Sequence, residues 1–480
     1  IKPLYYYFDN NIFAFASEIK CFKNITNINL EINSNIIKYF LYLGYCPEPE
    51  TIYKHIKTLP PATIIEIDNS RNITQHQYWN IDKIIRPYHN DVSEEQYTQQ
   101  LKELIYNSVE QHLISDVPFG IFLSGGTDSS IIAAVAAKVA NTKINTFTIG
   151  FYENKYNEAD YAKKVAKYIN ANHTEFILSE NQIIDTIDTF FEIYDQPFAD
   201  SSAIPTLIIS KLAANNVKMI LSGEGGDELF LGYGAYLWAK RLYNPFFTTF
   251  RKPISALFLT TPHNRYKRIA KLINYYDKQK ISSHIFSQEQ YYFTETEIKN
   301  ILMPNYYKSP INNDIIYDYH QRKLSPVEQQ ALFDIKNYLP NDLLVKFDRA
   351  TMYHSIEGRV PLLDTNIVEF AVNLPLNLKI NNGITKYILK KILYQHIPPQ
   401  YFDRPKWGFA IPLNKWLKGK LYGLIDNYLN KDIIEKYQIV DYNIVKTLIN
   451  DYKNNSQKEF LYNRLWLLIV LHRWFDKNIK

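Results

Sequence analysis

Residues 121–130 read IFLSGGTDSS: apolar residues running into Ser124, Gly125 and Gly126, followed by Asp128, Ser129 and Ser130. A glycine pair among hydroxyls at a strand-to-helix turn suits an anion. Glycine lets the backbone approach closely, and the start of a helix presents unpaired N–H groups at the positive end of its dipole. A carboxylate repels phosphate, so Asp128 makes sense there if a divalent cation lies between them; Mg²⁺ takes one or two carboxylates plus phosphate oxygens. The competing reading is a helix N-cap, but a cap needs one hydroxyl, and three with Gly-Gly are in excess of that. A Walker loop is excluded, because that motif requires Gly-Lys-Ser/Thr and no Lys lies between Gly120 and Ser130.

A second stretch, LSGEGGDELFLGY (221–233), repeats the logic with Ser222, Gly223, Glu224, Asp227 and Glu228. A tight acidic turn explains it when taken alone. Taken together, the two loops would lie at the carboxyl ends of parallel strands, where ligands of open α/β sheets bind. That pairing suits a Mg²⁺-nucleotide held between two loops.

The elements needed to position these loops are legible. Ser93, with Gln96 three residues on, opens a helix by a capping box. Strands are expected at FGIFL, INTFTIGF (144–151), HTEFIL (173–178) and before Ser222, with helices at 129–140, 157–171 and from Ala203. Strands alternating with helices predict a doubly wound parallel sheet covered on both faces. Residues 1–69 read as β-rich, residues 70–92 as a linker, and the chain beyond about residue 235 as nearly all helix with loops at its prolines.

Bulk properties exclude several classes. A net charge of +5 over 480 residues, with no long basic run, does not point to nucleic acid. Cys21 and Cys46 are the only cysteines, each read as a small buried residue, so neither a disulfide framework nor secretion is indicated. LWLLIVL (465–471) and ISALFLTTP (254–262) are far too short to span a membrane. A cytoplasmic protein is expected, with neither nucleic acid nor a membrane as partner. His55, His76, His173 and His354 show no metal-binding spacing.

The sequence SGGTDSS resembles the pyrophosphate (PP) loop of the N-type ATP pyrophosphatases, and the chain as a whole resembles the glutamine-hydrolysing asparagine synthetases. VPFGIFLSGGTDSS, DQPFADSSAIPT (195–206), LSGEGGDELFLGY, YLPNDLLVKFDRATMYHSIEGRVPLLD (338–364) and DRPKWGFAIPLNKWL (403–417) match that family in order, and IKPLYYY…FAFASEIK is similar to the last third of its glutaminase domain. The resemblance implies a truncated Ntn-type glutaminase remnant over 1–75, a linker over 76–92 and a PP-loop synthetase domain with a helical C-terminal part over 93–480. The chain starts without Met, inside what reads as a hairpin, and the family's N-terminal nucleophilic cysteine has no counterpart here. The expectation is a piece of a longer protein that uses ammonia where the whole protein uses glutamine.

The activity implied is ATP-dependent amidation of aspartate through a β-aspartyl-AMP intermediate, with ATP and Mg²⁺ as cofactors. Aspartate, ATP and ammonia or glutamine would be the small-molecule partners, and pairing of two copies is left open. By that resemblance Ser124, Gly125, Gly126, Ser129 and Ser130 cradle phosphates, and Asp128 and Asp227 hold Mg²⁺. Leu123 and Ile149 line the adenosine site, and Ser222 and Gly223 contact the ribose-phosphate side. Glu224 serves intermediate formation and the ammonia step.

Lys406 and Lys386 are candidate phosphate ligands. A solvated helix-face charge is the other reading of Lys386. Glu357 either supports the catalytic carboxylate or joins a structural ion pair with its neighbours. FADSS (198–202) either binds aspartate or caps a helix. Competing functions are a β-lactam synthetase or glycan-amidating enzyme on the same scaffold, and a non-catalytic ATP-binding protein; intact Asp128, Glu224 and Asp227 argue against the last.

Overall fold

The computed structural model describes residues 2–9, 11–88, 91–152, 157–261, 264–275, 277, 279–312, 321–402 and 411–479. The chain begins with a small antiparallel sheet in which β1 (Tyr5–Phe8) lies between β2 (Phe13–Ala16) and β3 (Ile56–Thr58). Between β2 and β3 runs the apolar helix α1 (Ile36–Leu43).

The expected linker over 70–92 is partly ordered. β4 (Thr63–Ile67) pairs in antiparallel register with β5 (Ile73–Gln77), and a helical turn α2 (Ile81–Ile84) follows, N-capped by the Asn80 side chain. The β5 residues are mostly exposed polar side chains, so the strand carries no apolar alternation to read. The turn instead rests on Asp68, whose Oδ1 accepts from Ser70 N and Asn72 N, each at 2.8 Å.

Helix α3 (Glu94–Leu113) has the expected capping box at Ser93 and Gln96. The central sheet then forms from β6 (Phe119–Phe122), β7 (Asn145–Phe151), β8 (Asn172–Leu178), β9 (Met219–Leu221) and β10 (Glu357–Arg359), all parallel in the order β10-β9-β6-β7-β8. Helices α4 (Thr127–Val139) and α5 (Ala159–Tyr168) connect β6 to β7 and β7 to β8. Helices α6 (Glu180–Ile193) and α7 (Ala203–Ala213) return the chain to β9 on the other side of β6.

Alternation along the strands divides the core. Ile121, Leu123, Met219 and Leu221 pack with α4 and α5, while Phe147, Ile149, Phe151 and Ile220 pack with α6 and α7. The chain leaves β6 toward one edge and β9 toward the other. Their carboxyl ends therefore form the point of reversal at which open α/β sheets bind ligands.

Beyond β9 a five-residue helix α8 (Gly226–Phe230) precedes a largely helical region. Contrary to the expectation of loops at prolines, Pro253 and Pro340 lie inside helices. Residues Asp334–Leu343 form a π-helix, whose wider turn accommodates the Pro340 ring that would strike a carbonyl in an α-turn. Asn337 Nδ2 and Asn341 Nδ2 donate to Phe333 O and Asn337 O at 3.1 and 2.8 Å, taking up carbonyls along it.

The N-terminal sheet is tied to this region through the buried Arg349, which donates to Ser17 O at 2.7 Å and pairs with Glu18 at 3.1 Å and Asp195 at 3.6 Å. Cys46 is buried as expected. Cys21 is exposed, on a 3-10 turn whose inward positions are taken by Ile19 and Phe22. Among the described residues no helix is long and apolar enough to cross a membrane.

Candidate active site

A cleft of about 730 Å³ opens over the carboxyl ends of β6 and β9. One wall is the loop between β6 and α4. Ser124 Oγ and Ser129 Oγ lie 3.0 Å apart, Gly126 N donates to Ser124 Oγ at 3.3 Å, and Ser124 N donates to Ser129 Oγ at 3.2 Å. Gly125 takes a left-handed φ of 70° with the backbone of Tyr161 and Ala162 where a Cβ would be, so only glycine makes this turn. Gly126 is the N-cap of α4 and contributes no side-chain cap, leaving the helix start facing the cleft.

The loop after β9 forms the adjoining wall. Gly225 also has a left-handed φ, 90°, and its missing Cβ leaves space filled by Leu363. Asp227 in the first turn of α8 and Asp128 in the first turn of α4 are joined by Lys386: its Nζ lies 2.7 Å from Asp227 Oδ1 and hydrogen-bonds Asp128 Oδ2. Burial would lower the pKa of this ammonium, but Asp128 and Asp227 outweigh it and hold the pKa above its ordinary value. Lys386 is buried and has φ 55°, a left-handed conformation that costs free energy in a residue with a Cβ. The reading of Lys386 as a solvated helix-face charge is therefore replaced: it sits ahead of the helix Tyr387–Leu393 and points into the cleft. No Cβ fits at Gly232, because Asp227 and Lys386 occupy that space, nor at Gly226, where the Asp128 carboxylate lies.

The third wall is acidic, with Lys346 as its cation among the described residues. Lys346 Nζ donates to Asp200 Oδ2 and Ser202 Oγ, each at 2.9 Å. Burial raises the pKa of Asp200, but Lys346 and Ser202 overcome it, so Asp200 stays ionised below its ordinary range. Asp342, buried and hydrogen-bonded to Asp200, is pushed well up by burial and by that neighbour. Glu224 is raised by burial against the opposing charge of Lys346, with Asp227, Asp200 and Asp128 adding to the rise. Glu228 beneath it is raised to about 8 by burial and Asp227, and accepts from Tyr233 Oη at 2.5 Å.

Most of the residues expected from sequence converge here: Leu123, Ser124, Gly125, Gly126, Asp128, Ser129, Ser222, Gly223, Glu224, Asp227 and Lys386 line the cleft. Three do not. Ser130 is fully buried one turn into α4, directed into the protein rather than into the cleft. Ile149 is buried in the core on the α6–α7 side, and Phe147 and Thr148 of the same strand face the cleft. Glu357 begins β10, at the end of the sheet away from the site. It is exposed and bound to Arg359 at 2.7 Å, and Arg359 Nη1 in turn donates to His112 O and Ile114 O, each at 2.8 Å, at the end of α3. This is a structural pair closing a helix C-terminus. Lys406 lies outside the described residues.

Thr127, Lys346 and Asp342, which are not among the residues expected from sequence, line the cleft or its acidic cluster. Lys346 was legible only as part of the long match 338–364. Asp200, Ser201 and Ser202 face the cleft, and Asp200 also accepts from Ser202 N at 2.8 Å at the start of α7, so FADSS both shapes a helix start and faces the site.

Asp128 and Asp227 are hard oxygen donors converging on one cation, and the absent side chains of Gly226 and Gly232 let them approach. A divalent ion taking two carboxylates and phosphate oxygens fits this donor set.

A family profile described as asparagine synthase matches residues 100–476, and one described as a glutamine amidotransferase domain matches residues 1–79. The asparagine synthetase [glutamine-hydrolyzing] 1 of Bacillus subtilis is 29% identical over the whole chain and 74% of its own length. A putative asparagine synthetase of Methanocaldococcus jannaschii is 33% identical over 73% of this chain and 68% of its own. Among solved structures, NMN synthetase from Francisella tularensis aligns with 30% of this chain and 59% of its own, at a TM-score of 0.22 and 18% identity.

Proposed function

The chain belongs to the asparagine synthase family, and we propose that its cleft converts aspartate to asparagine at the expense of ATP, by way of a β-aspartyl-AMP intermediate. The observation that supports this most directly is one cleft with a phosphate-binding wall on one side and, on the other, a lysine-and-carboxylate wall suited to a small amino acid. The phosphates of ATP rest on the N–H groups at the start of α4 and on the hydroxyls of Ser124, Thr127 and Ser129. Lys386 faces the charge that builds on the phosphorus, and the sequence resemblance gives Lys406 the same role. Asp128 and Asp227 would hold Mg²⁺, which when bound would neutralise charge on the departing pyrophosphate.

Aspartate is held by Lys346 and Ser202 with its β-carboxylate toward the α-phosphorus. A carboxylate oxygen attacks that phosphorus, the bond to pyrophosphate breaks, and the acyl-adenylate forms. Ammonia then attacks the acyl carbon, AMP leaves with the carboxylate oxygen, and Glu224, with a pKa above the ordinary carboxylate range, accepts the proton ammonia loses. The match of residues 1–79 to a glutamine amidotransferase domain supports glutamine as the source of that ammonia. We place the boundary between the two parts at 76–92.

Aspartate labelled with ¹⁸O in its β-carboxylate tests the route. Label recovered in AMP supports the acyl-adenylate, whereas label recovered in inorganic phosphate together with ADP overturns it.

A further inference from the structure

Away from the cleft, the helix Pro245–Leu259 packs only one side against its neighbours, with Phe247, Ile254 and Phe258 turned to the helices Ala235–Leu242 and Asn264–Ile273. A second apolar stripe is left in solvent. Phe246, Phe250 and Leu257 are 58%, 47% and 66% exposed, and Pro253 between them is exposed as well. Their spacing of four, three and four residues brings them within about 60° of one another around the helix. Solvated helix faces are ordinarily polar, so an aromatic and aliphatic stripe at helical spacing needs a partner.

The charge of the segment selects that partner. From Leu229 to Tyr276 the sequence has no Asp or Glu, yet it holds eight Lys and Arg residues: 240, 241, 251, 252, 265, 267, 268 and 271. Lys240, Arg241 and Lys252 are exposed. Arg268 and Lys271 reach outside the segment for their acids, Glu289 and Glu297. Two copies joined through this face would set one acid-free basic segment against another, as a two-fold interface requires. A nucleic acid would use the cations and leave Phe246, Phe250 and Leu257 in water.

We propose that the helix Pro245–Leu259 lies on an anionic lipid surface, its Phe246–Leu257 stripe entering the boundary between headgroups and acyl chains and the surrounding lysines and arginines meeting the headgroup charge. This goes beyond the expectation from sequence, which gave a membrane no part as partner. That expectation stands for spanning, since fifteen residues interrupted by basic side chains are too short to cross.

Sedimentation of the full chain with vesicles tests the proposal. Partition onto vesicles of phosphatidylglycerol in phosphatidylcholine should exceed partition onto phosphatidylcholine alone by about tenfold or more, and should fall with salt. Phe250→Asp with Leu257→Asp should reduce it to the phosphatidylcholine level while keeping aspartate-dependent ATP–pyrophosphate exchange, which shows the variant to be folded. Phe250→Ser with Leu257→Ser provides a milder version of the same test. Equal partition onto both vesicle types, or undiminished binding by these variants, overturns the proposal. So does a wild-type dimer that the double variant loses, or retention on DNA without retention on vesicles.

Discussion

Lys386 neutralises two carboxylates that come from helix starts nearly one hundred residues apart in sequence. Replacing either carboxylate leaves the lysine its other partner, so the fold should survive while the charge arrangement over the phosphates does not. Asp128→Asn and Asp227→Asn should each lower ATP–pyrophosphate exchange by about 10²–10³, with thermal unfolding close to that of the parent. Near-parental exchange in either variant would remove both residues from the phosphate machinery. Lys346 is the cation of the opposite wall. Lys346→Met should raise the KM for aspartate by about 10–100-fold, the loss of one hydrogen bond to a charged group, and leave ATP binding unchanged. Titration of nucleotide binding and aspartate saturation in the same preparation separate the two effects, and an equal weakening of both would contradict the assignment.

At the scale of elements, the site depends on where chain segments pass close enough to exclude a side chain. Gly232 follows α8, and its missing Cβ is the space that Asp227 and Lys386 share. Gly232→Ala should push that ion pair apart without opening a core cavity. A loss of exchange activity comparable to Asp227→Asn is expected, with a stability cost of about 1–3 kcal/mol, the usual price of overpacking. An alanine variant of full activity would show that the pair tolerates displacement. The π-helix Asp334–Leu343 acts in the same way: it turns Tyr338 and Leu343 toward the cleft and sets Asp342 beside Asp200. Its wide turn matches the common placement of π-turns at functional sites.

For the molecule as a whole, buried acids outside the cleft set a pH dependence of stability. Burial raises Asp334 to about 7 from an ordinary 3.8; its Oδ1 accepts from Gln330 Nε2 at 3.3 Å. A carboxyl whose folded-state pKa lies above its unfolded value stabilises the fold at low pH, and that contribution is lost as pH rises toward 7. Between pH 5 and 7 the parent should lose about 2–3 kcal/mol relative to Asp334→Asn, which carries no titrating proton there. Denaturant unfolding of both proteins across that range measures it, and parallel pH curves would refute it. Two buried histidines and one half-buried histidine act in the opposite sense. His284, His396 and His472 are lowered by burial to about 4, so they favour the fold above their ordinary 6.5 and cease to do so as pH falls through 4.

What the sequence determined by itself is local or periodic. The alternation of strands and helices from Phe119 to Leu221, the capping box at Ser93 and the two glycine-rich loops were all legible. Hydrophobic period, helix caps and left-handed turns each leave their mark within a few residues. The second strand of the β4–β5 hairpin left none, because it is solvated on both faces and only its turn rests on a local signal, Asp68. Pro340 misled, since a proline that breaks an α-helix is compatible with a π-turn. The candidate site divides along the same line. Asp128, Glu224 and Asp227 could be singled out because each sits in a short motif. Only the tertiary structure decided that Lys386, ahead of a helix with other lysines on it, is the one buried between two of those acids, that Lys346 faces Asp200, and that Glu357 stands at the far end of the sheet bound to Arg359. A side chain's charge is written in its own residue, but the desolvation of Lys386 and Lys346 and their acidic partners come from segments more than one hundred residues away, and no local pattern encodes them.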